Sequence, residues 1–233
     1  MNDLTPAATP APKWKPLEPI QRRVLGVMVE KAKTTPAAYP MSVNAIVTGC
    51  NQKNNRDPLM TLDDIDVERA LDGLRTLGAA SEIDWMGRVS KWKHHGYEWL
   101  GVTRAEMAVM AELLLRGAQA VGELRGRAAR MEPIEDLAAL KPIVSALVER
   151  GLMVELSPPG RGQVVSHNLY LAPELAALKS GQGARPVVSD EHDDTRAATT
   201  GSAHGALAAE VAALREEVAR LRERVSALES KPA

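Results

Sequence analysis

Apolar positions first recur with a helical period just past residue 17, where Ile20, Val24, Val27 and Met28 fall at i, i+4, i+7 and i+8. Pro19 suits the first turn of that amphipathic helix. Ser42 can cap a shorter second helix carrying Val43, Ile46 and Val47, which gives way to the polar run from Asn51 to Pro58. A third helix follows, with Val67, Ala70, Leu71, Leu74 and Leu77 on one face, Asp63 and Asp64 at its positive end, and Gly78 placed to stop it. The period then shortens. Ala80 to Trp85, the turn Met86-Gly87-Arg88 and Val89 to His94 predict a β-hairpin, with Tyr97 to Leu100 as another extended piece.

The same order recurs in the next stretch of chain. Thr103 and Glu106 form a capping box before Met107, Met110, Ala111 and Leu114, and Gly117 is the stop. Val121, Leu124 and Ala128 predict a second helix, and Leu140, Val144, Leu147 and Val148 a third that ends at Gly151. Pro142 removes an N–H from that third helix, which must kink or start late. Leu152 to Leu156, the turn Ser157 to Gly160 and Gln163 to Leu171 repeat the hairpin. Helix, helix, helix, hairpin, twice over, is the element order of tandem winged helix-turn-helix domains. The expected fold class is therefore mostly α with small β-hairpins (α+β).

Five segments are expected. Residues 1–16 form a disordered Pro/Ala arm, residues 17–100 and 101–178 two winged-helix domains, residues 179–205 a flexible linker and residues 206–233 a coiled-coil helix. In the last segment Leu207, Leu214, Leu221 and Leu228 recur every seven residues, and Val211, Val218 and Val225 each stand three ahead of a leucine. Valine at a with leucine at d favours a parallel two-stranded coiled coil, hence a homodimer. Glu210 with Arg215, Glu217 with Arg222 and Arg224 with Glu229 complete the flanks with opposite charges. A helix folding back onto its own domains would show the same stripe, so both readings stay open.

Charge and composition narrow the function. The 29 Lys and Arg against 30 Asp and Glu leave a net charge of −1, so the overall balance gives no attraction to phosphate. The third helix of the first copy offers Asp63, Asp64, Asp66, Glu68 and Asp72 against Arg69 and Arg75, and such a face repels a DNA groove. Basic candidates for nucleic-acid contact lie elsewhere: Lys53 and Arg56 in the polar loop, Arg88, Lys91 and Lys93 with Trp92 on the hairpin, and Arg125, Arg127 and Arg130 on the fifth helix. Trp85, Trp92, Tyr97 and Trp99 offer either a base-stacking platform or packing of hairpin on helices. The single Cys50 reads as a small core residue, and one cysteine fits a reducing, cytoplasmic setting. No metal, cofactor or catalytic constellation is predicted, so the protein is expected not to be an enzyme. No membrane-spanning run or secretory signal is expected either. Partners are then DNA, bound in a regulatory role, or a protein, with the winged helices as an adaptor scaffold.

The run Cys50-Asn51-Gln52-Lys53-Asn54-Asn55-Arg56-Asp57-Pro58 and the run Gly122-Glu123-Leu124-Arg125 resemble signatures of the YceH-like family, bacterial proteins grouped under a domain of unknown function. The resemblance covers about residues 17–172. It implies two tandem winged-helix domains and supplies no established activity.

Overall fold

The computed structural model describes residues 14–83 and 90–181, all within the compact unit Met1–Val187. Arg88 and the heptad residues Leu207, Val211, Leu214, Val218, Leu221, Val225 and Leu228 lie outside the described residues, as does most of the expected linker. The architecture is α+β, eight helices with two small antiparallel sheets among the described residues.

The first half runs α1 (Pro19–Thr34), a 3-10 turn (Pro36–Ala38), α2 (Val43–Cys50), α3 (Asp64–Thr76), β1 (Ala80–Ile83), β2 (Lys91–His94) and α4 (Gly96–Leu100). The second runs α5 (Arg104–Arg116), β3 (Gln119–Ala120), α6 (Val121–Ala128), α7 (Leu137–Glu149), β4 (Met153–Glu155), β5 (Val164–His167) and α8 (Ala172–Lys179). A shift of 73 residues carries α3 onto α7 end for end and β2 onto β5. Even the turn after the third helix repeats. Gly78 and Gly151 hold φ of 74° and 68°, a left-handed conformation that a side chain would strain, and the next N–H in each copy returns to a helix carbonyl. Before the second helix of each copy an extended residue joins the last strand: Met41 bridges to Trp92, and Gln119 pairs with Val165.

Capping is as the side chains dictate. Ser42, Asp63, Thr103 and Asp136 each accept a hydrogen bond from an N–H in the first turn of the helix they precede. The Asp136 cap starts α7 at Leu137, so Pro142 lies inside the helix rather than before it. Ala138 and Pro142 are both exposed, which leaves the carbonyl without its donor on the solvent side.

Three expectations need correction. Tyr97 to Leu100 is helical, not extended: the strand ladder ends where His95 donates to Ala79, Trp99 then donates back to His95, and left-handed Gly101 stops the turn. Strand β5 stops at His167, and α8 follows it, with Pro173 in its first turn. Finally, α1 is not amphipathic along its middle: every residue from Arg22 to Glu30 is buried, as is every residue from Glu106 to Leu115 on α5. A helix buried on all sides must be central, and these two pack against each other. Gly26 sets their approach, because a methyl group there would lie 3.0 Å from the Leu115 side chain.

Candidate functional site

The polar loop after α2 is built around Arg56, whose side chain is 0% exposed. Its Nε donates to the Gly49 carbonyl at 2.9 Å. One terminal nitrogen donates to Asn55 O at 2.7 Å and Glu30 Oε1 at 3.3 Å, the other to Gln52 Oε1 at 3.1 Å and Glu30 Oε2 at 2.6 Å. All five guanidinium donors are thus used, two of them in a fork on one carboxylate. Arg56 is therefore no phosphate ligand, contrary to expectation. Its donors fold the loop instead.

The folded loop reaches the second half. The Asp57 N–H donates to Leu115 O at 3.0 Å, and Arg116 donates to Asn55 Oδ1 at 2.6 Å, with Asn55 itself held at φ 60°. From α1, the buried Arg23 donates to the carbonyls of Cys50 and Pro58 at 3.0 and 2.6 Å. Asn51 exchanges two hydrogen bonds of 2.8 Å with the backbone of Leu62. Lys53 remains exposed at the loop tip.

The other basic candidates are largely spoken for. Trp92 is 5% exposed and belongs to the core, so it offers no stacking face. On α6, Arg125 donates to Glu135 O at 3.1 Å and Arg127 bonds Gln119 Oε1 at 2.7 Å and Glu123 at 3.1 Å; in the turn that follows, Arg130 lies 3.5 Å from buried Glu112. Each holds the protein's own turns and helices together. Lys91 and Lys93 stand half-buried on β2, and Arg88 is outside the described residues.

The exposed surface beside α3 is acidic. An open groove of about 920 Å³ between α2, α3 and the hairpin strands is lined, among the described residues, by Asp64, Glu68, Asp72 and Glu82 and by Lys91. Arg75 pairs with Asp72 at 2.7 Å and Glu82 at 3.5 Å and offsets part of that negative charge.

Sequence reasoning missed the buried charges: Arg23, Glu30 and Glu112, and the partly covered Arg116 and Arg150. The one signal for three of them was position: Arg23 and Glu30 bound the apolar run 24–29 of α1, and Glu112 interrupts the apolar run of α5. Cys50 is the core residue expected of it. Burial pushes its thiol up to about 12, so it stays protonated and is no nucleophile at neutral pH. Among the described residues no group of three His, Cys, Asp or Glu is placed to hold a metal ion, and no helix is long and apolar enough to cross a membrane.

Residues 17–161 match the family described as "Protein of unknown function, DUF480". The chain belongs to this family. A UPF0502 protein of Rhodopirellula baltica is 51% identical over 178 residues, covering 76% of this chain and 75% of that protein. A UPF0502 protein of Geobacter sulfurreducens is 43% identical over 184 residues, covering 76% and 84%. Another, of Citrifermentans bemidjiense, is 43% identical over 178 residues, covering 75% and 83%. The resemblance read from the polar loop therefore holds. In this DUF480 chain, the residues of that loop that carry it are also those that fold it onto α5.

Proposed function

We propose that this DUF480 chain is a non-enzymatic protein-interaction scaffold made of two winged-helix units, residues 17–100 and 101–178, and that it does not bind DNA through its helices. The acidic α3 groove carries this reading. Asp64, Glu68, Asp72 and Glu82 occupy the surface that a DNA-reading winged helix turns toward phosphate, and like charge there opposes a duplex. The engagement of Arg56, Arg125, Arg127 and Arg130 with the protein's own groups supports it further. Expected, then, is no saturable change in fluorescence anisotropy of a mixed-sequence duplex at about 50 mM salt, the condition that favours non-specific binding most. Binding that collapses toward about 200 mM salt, and weakens on replacing Lys91 and Lys93, would return the DNA reading to first place.

The heptads add a second proposal: residues 206–233 pair in parallel with a second copy, so the scaffold is a homodimer. Seven a and d side chains support it, each contributing roughly 1.5 to 3 kcal/mol when fully buried, before ordering costs. Sedimentation of the full chain should give a concentration-dependent dimer that Leu214→Asp with Leu221→Asp dissociates. A monomer at all micromolar concentrations overturns this.

A further inference from the structure

An open pocket of about 620 Å³ lies where the two halves of the chain meet, walled by the end of α1, strand β2, α4, the start of α5 and the turn after α6. Junctions of this kind are where small-molecule sites concentrate. Part of the wall is aromatic and apolar, with Tyr39, Tyr97 and Met131, and part is cationic, with Lys33, Lys93 and Arg104. Lys33 is the covered charge. Its side chain is 7% exposed, one of its three ammonium donors goes to Glu132 Oε2 at 2.8 Å, and the Tyr97 ring lies 5.8 Å from it. Arg104 reaches the same carboxylate at 3.3 Å, so two cations share one acid, while Lys93 makes no ion pair among the described residues. Exposed Glu98 is the acid of the wall itself. With histidine counted as neutral, Lys33, Lys93 and Arg104 against Glu98 and Glu132 leave one positive charge.

The second half shows what such a place accepts. There Arg22, also from α1, lies 4.7 Å over Tyr170, the counterpart of Tyr97, and Glu174 of α8 meets it with both carboxylate oxygens, at 2.6 and 2.9 Å. A basic group of α1 above this tyrosine thus carries a carboxylate where the chain supplies one. We propose that the open junction pocket binds a small aromatic carboxylate, its ring against Tyr39 and Tyr97 and its carboxylate on Lys33 and Lys93. Charge selects a monoanion, because a phosphate dianion exceeds the surplus and meets Glu98, and a cation meets three basic groups. The tyrosine faces select an aromatic body over an aliphatic one. The site draws Lys33 and Tyr97 from the first half and Arg104 and Met131 from the second, and it stands whether or not the chain is a scaffold.

The probe is naphthoate, measured by equilibrium dialysis against the full chain. It should bind saturably with a Kd of about 1 mM or tighter, the range open to a ligand of its size. Naphthamide, the same shape without charge, should bind about tenfold more weakly, and acetate, the charge without the ring, should not compete near millimolar concentration. Lys33→Met and Lys93→Gln should each weaken naphthoate binding about tenfold, as loss of a charge-assisted hydrogen bond does. If Lys33→Met melts lower than the parent, because Glu132 loses a partner, Lys93→Gln on the half-buried strand decides. No saturable binding up to about 10 mM overturns the site, as does equal binding of naphthamide. Unchanged naphthoate affinity in both variants places the ligand elsewhere and overturns it too. Tighter binding of naphthyl phosphate than of naphthoate overturns the monoanion assignment and makes the pocket a phosphate site.

Discussion

Replacing Arg56 with alanine should lower the unfolding free energy by about 3 to 5 kcal/mol, as removal of one partner from a buried ion pair does. The loss has two parts. Glu30 is left with a carboxylate 6% exposed and its bidentate partner gone, and the carbonyls of Gly49 and Asn55 lose their donor inside the loop. Lysine is no remedy, because a single ammonium cannot supply five donors in a planar fork. Arg56→Lys should therefore recover less than half of the loss. Replacing both partners, Arg56→Met with Glu30→Leu, should cost much less than Arg56→Ala, since no charge remains buried alone. Urea denaturation of the three variants measures this. A loss below about 1 kcal/mol for Arg56→Ala would mean that water reaches Glu30 and the pair is a surface one.

The same residue shows why sequence reading reached the fold further than the site. The repeat was legible because helix spacing, caps and stop glycines are local: Asp63 and Asp136, or Gly78 and Gly151, act through neighbours within a turn. The Arg56 contacts are not local. Its carboxylate partner lies on α1, and the loop it folds docks against α5, so the spacing within the polar run could not name either of them. Trp92 stood open between stacking and packing for the same reason, and its burial was decided by the helices folded against it. Tyr97 to Leu100 misled differently: aromatic β-propensity favoured a strand, while the cap at Gly101 and the packing of Trp99 and Leu100 decided for a helix. The acidic α3 face, by contrast, was legible, because charge on an exposed helix face survives folding unchanged.

Acid should destabilise this protein well before its surface carboxylates titrate, and the repeat explains why. The 73-residue shift places His94 on His167 and Tyr97 on Tyr170, and in each copy the histidine Nδ1 accepts the N–H two residues on at 3.2 Å. Tyr97 lies beside His94 with ring centroids 5.8 Å apart, and Tyr170 stacks on His167 at 3.9 Å. Burial pulls His94 down to about 4, with Glu98 opposing and His95 and Lys33 assisting; burial, then Arg22, holds His167 well below the usual range. Both rings are neutral when folded. Between pH 6.5 and about 4 the unfolded chain binds protons that these sites refuse, so their stabilisation is complete above the unfolded value and drains away as pH falls. For His94 alone, going from pH 7 to 5 should remove roughly 2 kcal/mol, or about 4 to 8 °C in Tm, and His167 adds in the same direction. Glu132 and Glu174, held low by Lys33 and Arg22, act the same way nearer pH 4, whereas Glu112, raised by burial, takes up its proton more readily when folded and offsets part of the loss. His94→Asn and His167→Asn keep an acceptor near the Nδ1 position and remove the titration. Thermal melts from pH 7 to 5 should therefore flatten for each single variant and most for the double. An unchanged slope in the double variant would place the acid sensitivity in the carboxylates instead.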